Sequence, residues 1–473
     1  MKHSQGVLLV AALCGGLACA ATPPSRTGTG GATAAGGAGG SSNVPVPGTI
    51  TISGAKPTPV TSTVGVNYWL WPATWGNIVQ GTEADIAALA PHFLRIGGHN
   101  NDNNTPDRLD AAALAAAVAY AQAVGAQPIL QVPLLADASG VRPTADDAAA
   151  LVTLANVTGG HGIKYFSIGN EPDLYPDQEA TLKTYTAADY CAQVMAFVPA
   201  MKAADPSIMI VGPDLSWKYQ AGNDWLTPIL TTCGAAFDII AVHRYPFAPE
   251  ASLAARAEGD AAQFAATITR LRTLMTAAGM QAKPLAITET NISYDGAPEK
   301  SIQDASPGTL PAGLWTADLV GTARAGGLWT TLYWSASEGW TLGLITPAPR
   351  ERRPAYHALR LWAEHAGPVA LAVTGVPTSV HAYASRNAAG TGTILMVVNW
   401  SRAPQALVIT QTEIGGASPA PVAVTVQATS MTAIEIADAP ADGAPPGTAW
   451  TYGPVQKAAG SAAASLEVTA AGR

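Results

Sequence analysis

Two glutamates, Glu171 and Glu289, each follow a short apolar run of the kind that forms a buried strand. Glu171 stands in Asn170-Glu171-Pro172 and Glu289 in Thr288-Glu289-Thr290. One carboxyl group of such a pair can protonate a leaving oxygen while the other attacks carbon. A retaining glycosidase needs its two carboxyl groups about 5 to 5.5 Å apart. The pair therefore predicts cleavage of glycosidic bonds, provided that the fold brings the two residues together.

The elements that must position these glutamates are apolar or β-branched runs that alternate with Ala- and Leu-rich helical stretches. Eight such units predict an α/β fold of the (β/α)8 TIM-barrel class, whose active sites lie at the carboxyl ends of the strands. Glu171 follows the fourth predicted strand and Glu289 the seventh. The predicted strands are Val64 to Trp69, Phe93 to Gly98, Gln127 to Leu134, Tyr165 to Asn170, Ile208 to Pro213, Asp238 to Tyr245, Pro284 to Thr288 and Leu328 to Ser335.

The net charge of the chain argues against some classes of binding partner. The 473 residues contain 25 Lys plus Arg and 33 Asp plus Glu, a net charge of −8, which favours neither nucleic acid nor an acidic membrane surface. We find no Cys/His cluster with zinc spacing, no phosphate-binding glycine loop and no dinucleotide motif. The oxygen-rich run from Asn100 to Asn104 lacks the spacing of a calcium loop. The charge balance thus favours a neutral or weakly charged substrate, which for the chemistry of the glutamate pair is an oligo- or polysaccharide, and the mechanism needs no metal or cofactor.

The N-terminal segment is typical of an exported bacterial protein. Lys2 precedes an apolar run from Val7 to Leu17, so residues 1–20 are predicted to be a signal peptide. Ala18-Cys19-Ala20 fits a cleavage site, whereas Leu17-Ala18-Cys19 fits an imperfect lipobox that would anchor Cys19 in a membrane through lipid. We therefore expect a secreted or periplasmic protein, or an outer-membrane lipoprotein. Residues 21–48 are rich in Gly, Ser and Thr and predict a flexible linker.

The remaining chain divides into two predicted domains. Residues 49–366 are assigned to the barrel, and the alternating segments of 367–440 to a small antiparallel β-sandwich. The first alternating segment, Thr49 to Ser53, can join that β domain instead. Residues 441–473 are rich in Ala and Gly and are expected to form a flexible tail. Cys191 and Cys233 form either a disulfide, which export permits, or two buried thiols.

The two glutamate motifs together resemble clan A of the glycoside hydrolases. This resemblance implies that Glu171 is the general acid/base, that Glu289 is the nucleophile and that Asn170 binds the 2-hydroxyl of the sugar. Other residues also stand where this clan keeps active-site groups: Arg95, His243, Tyr245 and Trp334.

Each of these additional residues has an expected role. Arg95 lies inside an apolar strand and needs a partner, so we expect it to hold Glu289 ionised. By the resemblance, Tyr245 contacts the nucleophile, Trp334 forms a stacking floor for the sugar, and His243 belongs to the substrate site.

Within the clan, Thr288-Glu289-Thr290-Asn291-Ile292-Ser293-Tyr294 resembles the nucleophile segment of family 79, which includes β-glucuronidases and heparanase. This implies that Tyr294 helps to bind a substrate carboxylate, and Asp102 is the candidate for a sugar-binding acidic residue. Asp173 is interpreted as a loop anchor, and Glu338 is expected to be exposed.

Three functions remain open at this point. The leading one is a retaining glycosidase with a β-glucuronide-like group in the reactive subsite. The second keeps the chemistry but acts on neutral sugars, as a xylosidase, glucanase or galactanase. The third is a surface carbohydrate-binding protein without catalysis, against which the paired glutamates argue, because burying two carboxylates costs desolvation energy.

Overall fold

The structure, a computed structural model, describes residues 48–68, 79–103, 109–220, 224–248, 254–294, 306–338, 342–347, 349–414 and 419–471. The predicted signal peptide, Cys19, nearly all of the predicted linker, Trp69 and Asn104 lie outside these ranges. Among the residues that are described, no helix has both the length and the apolar character needed to cross a membrane.

After a strand that belongs to a second sheet, β1 (Gly48–Pro59), eight parallel strands close into a barrel, as predicted. The predicted strand positions are confirmed, with ends that shift by a few residues. The barrel strands are β2 (Thr63–Tyr68), β3 (Phe93–Ile96), β4 (Gln127–Val132), β5 (Tyr165–Ile168), β6 (Met209–Leu215), β7 (Ile239–Arg244), β8 (Leu285–Thr290) and β9 (Thr330–Tyr333).

Helices lie between the barrel strands and after them. They are α1 (Glu83–Ala87), α2 (His99–Asp102), α3 (Ala111–Ala123), α4 (Ala145–Val152), α5 (Tyr175–Gln178), α6 (Ala187–Ala204), α7 (Leu226–Thr232), α8 (Ala254–Ala277), α9 (Leu310–Ala325), α10 (Pro354–His365) and α11 (Pro454–Ala459). Local sequence explains where two of them begin. Thr144 and Asp147 form a reciprocal capping box at the start of α4, and Thr186 and Asp189 do the same for α6.

The barrel interior changes from apolar to polar along each strand. Alternate residues of a strand point to the same face, so the apolar bottom layer and the polar layer above it are two residues apart. The bottom layer includes Phe93, Ile129, Tyr165 and Ala241. Two residues further along each strand stand the buried polar residues Arg95, Gln131, Ser167 and His243. The polar layer therefore lies at the carboxyl ends of the strands.

The remaining strands, together with β1, form the predicted C-terminal β domain, in which ten strands are joined in one mostly antiparallel sheet. They are β10 (Val369–Thr374), β11 (Val380–Arg386), β12 (Gly392–Asn399), β13 (Gln405–Thr412), β14 (Val422–Val426), β15 (Ser430–Ala437), β16 (Gly447–Tyr452), β17 (Ala464–Leu466) and β18 (Thr469–Ala470). The strand order is β17-β16-β15-β12-β11-β10-β1-β13-β14-β18. β1 pairs antiparallel with β10 and parallel with β13, which confirms that Thr49 to Ser53 joins this domain.

The expectation of a flexible tail over residues 441–473 is wrong for most of that segment. β16 pairs with β15 from Gly447 to Tyr452, and β17 and β18 pair in turn with β16 and β14. Two aromatic residues anchor the segment, because Trp450 and Tyr452 stack on His365 and His357 of α10 with ring centroids 4.1 and 4.2 Å apart.

A buried carboxylate joins the barrel to the sheet. Asp318 of α9 accepts hydrogen bonds from His381 Nδ1 at 2.7 Å, Tyr383 Oη at 2.9 Å and Trp400 Nε1 at 2.7 Å. His381 and Tyr383 belong to β11, and Trp400 follows β12. This interaction fixes α9, and with it the last barrel unit, against the sheet.

The two cysteines whose state was left open are bonded. Cys191 of α6 and Cys233, directly after α7, form a disulfide with a Cα–Cα distance of 5.4 Å. The bond links the helix that precedes β6 to the helix that follows it.

Candidate active site

Glu171 lies in a tight turn after β5. The backbone at Glu171 adopts a left-handed conformation with φ of 51°, which is uncommon for a residue with a side chain. Gly169 also has positive φ, and a Cβ there would lie 2.7 Å from Leu134 Cδ1. The turn is held by the Glu171 N–H, which donates to the carbonyl of Asp214 at 3.1 Å. These constraints direct the carboxyl group of Glu171 into the barrel mouth.

Glu289 lies on β8, one strand position from the end. The pairing of β7 with β8 contains an irregularity, so that Val242 pairs with Ile287 but His243 pairs with Glu289. The irregularity places His243 directly beside the glutamate. An oxygen of Glu171, an oxygen of Glu289 and a ring nitrogen of His243 all lie within 4.8 Å of one another. The two carboxyl groups therefore face each other at a separation that suits a retaining glycosidase.

Arg95 contacts both halves of this site. Its guanidinium donates to Glu289 Oε2 at 3.0 Å, as predicted, and to Asn170 Oδ1 at 2.8 Å. It also reaches Asn67 Oδ1 at 3.1 Å and Asp214 Oδ2 at 3.4 Å. Arg95 is fully buried, so it acts on the substrate only through these neighbours. Its positive charge stabilises an ionised Glu289.

The two glutamates differ in how readily they ionise. Burial, and secondly the negative charge of Asp173, raise the pKa of Glu171 to about 8. Burial also raises the pKa of Glu289, but the positive charge of Arg95 opposes that rise, and the Tyr245 hydroxyl donates to Glu289 Oε1 at 2.6 Å. At neutral pH, Glu171 is therefore the carboxyl group that keeps its proton, and Glu289 is the one equipped to carry negative charge.

His243 positions Glu171 and does not line the open mouth. Its Nδ1 lies 3.0 Å from Glu171 Oε1 and 3.8 Å from Glu289 Oε2, and the residue is fully buried. Burial lowers the pKa of His243, so a neutral imidazole is expected at neutral pH. The contacts that the structure shows for the ring are with the two carboxyl groups, and its place in the substrate site stays a prediction.

Trp334 follows β9, and only a glycine fits beneath its indole. Gly98 has φ of 113°, and a Cβ there would lie 2.6 Å from Trp334 Cη2. The Asn291 amide fixes this segment from β8 by donating to the Trp334 carbonyl at 2.7 Å. Trp334 is partly exposed at the barrel mouth, in keeping with its predicted role as a floor for a sugar ring.

The two other expected substrate contacts differ in their exposure to solvent. Asp102 is fully buried, and its carboxylate accepts hydrogen bonds from the Leu134 N–H at 2.8 Å, the Asn170 N–H at 3.1 Å and the Tyr175 hydroxyl. Asp102 therefore positions Asn170, and the expectation that it binds sugar is wrong. Tyr294 is 59% exposed, beyond the end of β8.

Several functional candidates are missing from the sequence-based prediction. Asp214 is fully buried at the end of β6, where Thr288 Oγ1 donates to its Oδ1 at 2.5 Å. Glu338 was expected to be exposed, but it is buried and accepts a hydrogen bond from Ser335 Oγ at 3.1 Å. Burial raises the pKa of Glu338 to about 7. Asp214 lies near the carboxyl end of β6 and Glu338 in the segment after β9, which is the region of the barrel in which Glu171 was identified.

The cluster of Glu171, His243 and Glu289 offers the ligand types of a metal site. Both oxygens of Glu289 already accept hydrogen bonds, one from the Arg95 guanidinium at 3.0 Å. A divalent cation there would lie next to that positive charge, and the two would repel each other. The geometry thus favours paired carboxyl chemistry over metal binding.

Fold and site together define a class: a (β/α)8 barrel with an appended, mostly antiparallel sheet and two carboxyl groups facing each other at the carboxyl ends of its strands. Neither the protein-family models nor the curated proteins contain a match to this chain. Solved structures match in fold.

Three glycoside hydrolases serve as examples of these structures. The α-L-arabinofuranosidase of Thermotoga maritima has a TM-score of 0.62 and 16% identity, covering 82% of this chain and 99% of that one. CelM2, a bifunctional glucanase-xylanase from a metagenome library, has a TM-score of 0.61 at 16% identity with the same coverage. A family 44 xyloglucanase of Paenibacillus polymyxa has a TM-score of 0.60 at 14% identity, again with 82% and 99% coverage. At these identities the likeness shows the fold.

The families of the matched structures differ from the expected one. Those whose family is stated belong to glycoside hydrolase families 51 and 44. The fold comparison therefore confirms a barrel fold that glycoside hydrolases also have and gives no support to closeness with family 79.

Proposed function

We propose that this protein is a retaining O-glycoside hydrolase in which Glu171 is the general acid/base and Glu289 the nucleophile. The observation that carries the proposal is the pair itself: two carboxyl groups within 4.8 Å of each other at the barrel mouth, with unequal surroundings. A cation and a hydroxyl stabilise charge on Glu289, whereas Glu171 has a pKa raised to about 8 by burial.

The reaction follows in two steps. Glu289 attacks the anomeric carbon as the glycosidic C–O bond breaks, and Glu171 gives its proton to the leaving oxygen. A water molecule then attacks the same carbon while the ionised Glu171 takes a proton from it, and the bond to Glu289 breaks. Throughout both steps, Arg95 and Tyr245 stabilise the charge that Glu289 loses and regains.

We further propose that the substrate is a neutral sugar chain. Arg95, whose guanidinium could otherwise pair with a sugar carboxylate, is fully buried and already bonded within the protein. The structures with the same fold include an arabinofuranosidase, a glucanase-xylanase and a xyloglucanase. A β-glucuronide is the second candidate, for which the exposed hydroxyl-bearing ring of Tyr294 at the end of β8 is the supporting observation.

The test is hydrolysis of p-nitrophenyl glycosides by the wild type and by Glu289→Gln. The panel contains the β-xyloside, β-glucoside, β-galactoside, β-glucuronide and α-L-arabinofuranoside, followed by xylan, β-glucan, xyloglucan and arabinan. We expect release from a neutral glycoside or polymer with retention of anomeric configuration, and its loss in Glu289→Gln. Glu364→Gln, an exposed glutamate of α10, is the matched control and should keep full activity.

The other outcomes are equally informative. Release from the glucuronide alone would replace the neutral-sugar proposal and leave the mechanism in place. Inversion of configuration would overturn the double displacement. Polymer binding without hydrolysis of any substrate would favour a carbohydrate-binding protein.

We also propose that the protein is exported, on the basis of the N-terminal pattern and supported by the Cys191–Cys233 disulfide, since disulfides persist in oxidising compartments. Cell fractionation of the full chain tests this. A Cys19→Ser variant that moves from the membrane to the soluble exported fraction would support lipidation. Recovery of the wild type in the cytoplasm with both thiols reduced would contradict export.

A further inference from the structure

Two aromatic side chains occur among the most exposed large apolar residues of the described chain, and both follow barrel strands at the carboxyl end. Trp217 is 44% exposed after β6, and Tyr294 is 59% exposed after β8. The carboxyl ends of parallel strands meet at one face of a barrel, so Trp217 lies on the same face as Glu171 and Glu289. An indole exposed on the active-site face presents a flat apolar surface to a ligand that is bound there.

The backbone of Trp217 is tied to the segment that carries Glu171. Asp173, two residues after Glu171, is fully buried, and its carboxylate accepts hydrogen bonds from three consecutive N–H groups. The distances are 2.9 Å from Ser216, 3.1 Å from Trp217 and 3.0 Å from Lys218. Asp173 is thereby confirmed as a loop anchor, and it couples the position of Trp217 to that of the acid/base.

The indole is also restrained from the side. Lys218 Nζ lies 5.7 Å from the ring centroid of Trp217, and the same ammonium group is held by Asp177 Oδ2 at 2.7 Å. A cation at this distance from an indole is attracted to its ring. Trp217 is thus an exposed aromatic ring on a loop that hydrogen bonds hold in place. Because the ring is already fixed, little conformational freedom is lost when a ligand binds to it.

We propose that Trp217 is the platform on which a sugar ring of the leaving group stacks. This inference rests on the proposed function, because Glu171 protonates the leaving oxygen and the group beyond that oxygen therefore lies on the Glu171 side of the cleaved bond. The C–H face of a sugar ring is apolar and packs on an aromatic ring, while its hydroxyl groups remain in water. The ligand is a neutral sugar residue at the leaving-group end of an oligosaccharide.

The test compares two substrates of the sugar that the panel identifies, its trisaccharide and its glycosyl fluoride. The fluoride has no sugar on the leaving-group side. We expect Trp217→Ala to lower kcat/KM for the trisaccharide roughly 10- to 100-fold, the loss that follows removal of an aromatic anchor, and to leave the fluoride unchanged. Trp217→Phe should restore most of the trisaccharide activity.

Control variants separate the possible failures. Met195→Ala removes another exposed apolar side chain, from α6, and should change neither substrate. Equal losses on trisaccharide and fluoride would show a structural role for Trp217, and no loss on either would show that it does not bind sugar. Both results overturn this inference and leave the proposed function standing. Silence of the wild type on the whole panel and on both substrates would overturn the proposed function together with it.

Discussion

Glu171 and Glu289 have the same side chain but different neighbours, and these neighbours determine which carboxyl group is better stabilised as an anion. Arg95 and Tyr245 donate to the two oxygens of Glu289, whereas the Glu171 carboxyl contacts a buried imidazole. A shared site in which only one of two carboxyl groups is stabilised as an anion separates their pKa values.

This separation predicts the pH dependence of activity. Glu171 must be protonated to act as the acid, and its pKa is raised to about 8 by burial, so kcat/KM should fall as the pH rises through that value. For an aryl glycoside with an activated leaving group, Glu171→Ala should keep the glycosylation step and lose this alkaline limb. Rate profiles over pH 4 to 10 provide the measurement. An alkaline limb that is unchanged in Glu171→Ala would assign it to another group.

Asp214 is expected to affect the pKa of Glu171 directly and to act on Glu289 through Arg95. It faces Arg95 and accepts a hydrogen bond from Thr288, and its negative charge contributes to raising the pKa of Glu171. Asp214→Asn keeps the side-chain shape and removes the charge. The alkaline limb should then move to lower pH, because Glu171 loses its proton more easily, whereas a purely structural loss would lower kcat at every pH and leave the limb in place.

Which residues the sequence identified depended on their immediate context. Glu171 and Glu289 stand out because each follows an apolar strand and stands next to polar residues. Gly212-Pro213-Asp214 is typical of a turn, so the inward direction of Asp214 could not be derived before the barrel was known. Glu338 was expected to be exposed because the segment after β9 has no apolar periodicity, and burial by residues that are distant in sequence leaves no such signal.

At the level of elements, the site depends on a turn in which only glycine fits. The turn after β3 passes directly beneath Trp334, where Gly98 has φ of 113°. Such a position constrains both the backbone conformation and the available space.

Gly98→Ala should therefore disturb the site as well as stability. The expected cost is about 1–3 kcal/mol in the free energy of unfolding, with a rise in KM as Trp334 is displaced. Gly125→Ala is a matched control, because Gly125 has φ of 76° but nothing lies within 4 Å of the added Cβ. Urea denaturation and steady-state kinetics measure the two effects. If both variants lose stability and neither changes KM, the indole does not depend on Gly98.

The strands were predictable as elements because buried apolar runs between turn residues recur eight times. The pairing of His243 with Glu289 was not, because it arises from an irregularity between neighbouring strands that are far apart in sequence. The strands near the C-terminus were missed because the Ala- and Gly-rich composition of residues 441–473 obscures the short run from Gly447 to Tyr452. The aromatic rings of that run stack on histidines of α10, a contact that no local pattern predicts.

For the molecule as a whole, the interface at Asp318 should make stability depend on pH. Burial alone would lower the pKa of His381, but the hydrogen bond and charge of Asp318 outweigh it, and the pKa is raised overall. A histidine whose pKa is raised by folding stabilises the protein below its unfolded pKa of about 6.5, and this contribution is lost as the pH rises through the folded value.

Asp318→Asn should remove this dependence. At pH 6 we expect a loss of about 2–3 kcal/mol in the free energy of unfolding, since hydrogen bonds to a charged group are broken, and a smaller loss above the folded pKa of His381. Denaturation of wild type and variant at several pH values measures the difference. A loss that is equal at every pH would show that His381 does not change its charge on unfolding.

The position of β1 has a consequence for the order in which the chain assembles. β1 lies between β10 and β13, and Ile50 accepts a hydrogen bond from Thr410, 360 positions later in the chain. At a synthesis rate of about 5–20 residues per second, the partners of β1 emerge from the ribosome roughly 20 to 70 s after it. During that interval its backbone has no strand to pair with in this sheet. The sheet can therefore close only after nearly the whole polypeptide has been made, and this late closure leaves time for a chaperone or a translocation machinery to bind the unfolded chain.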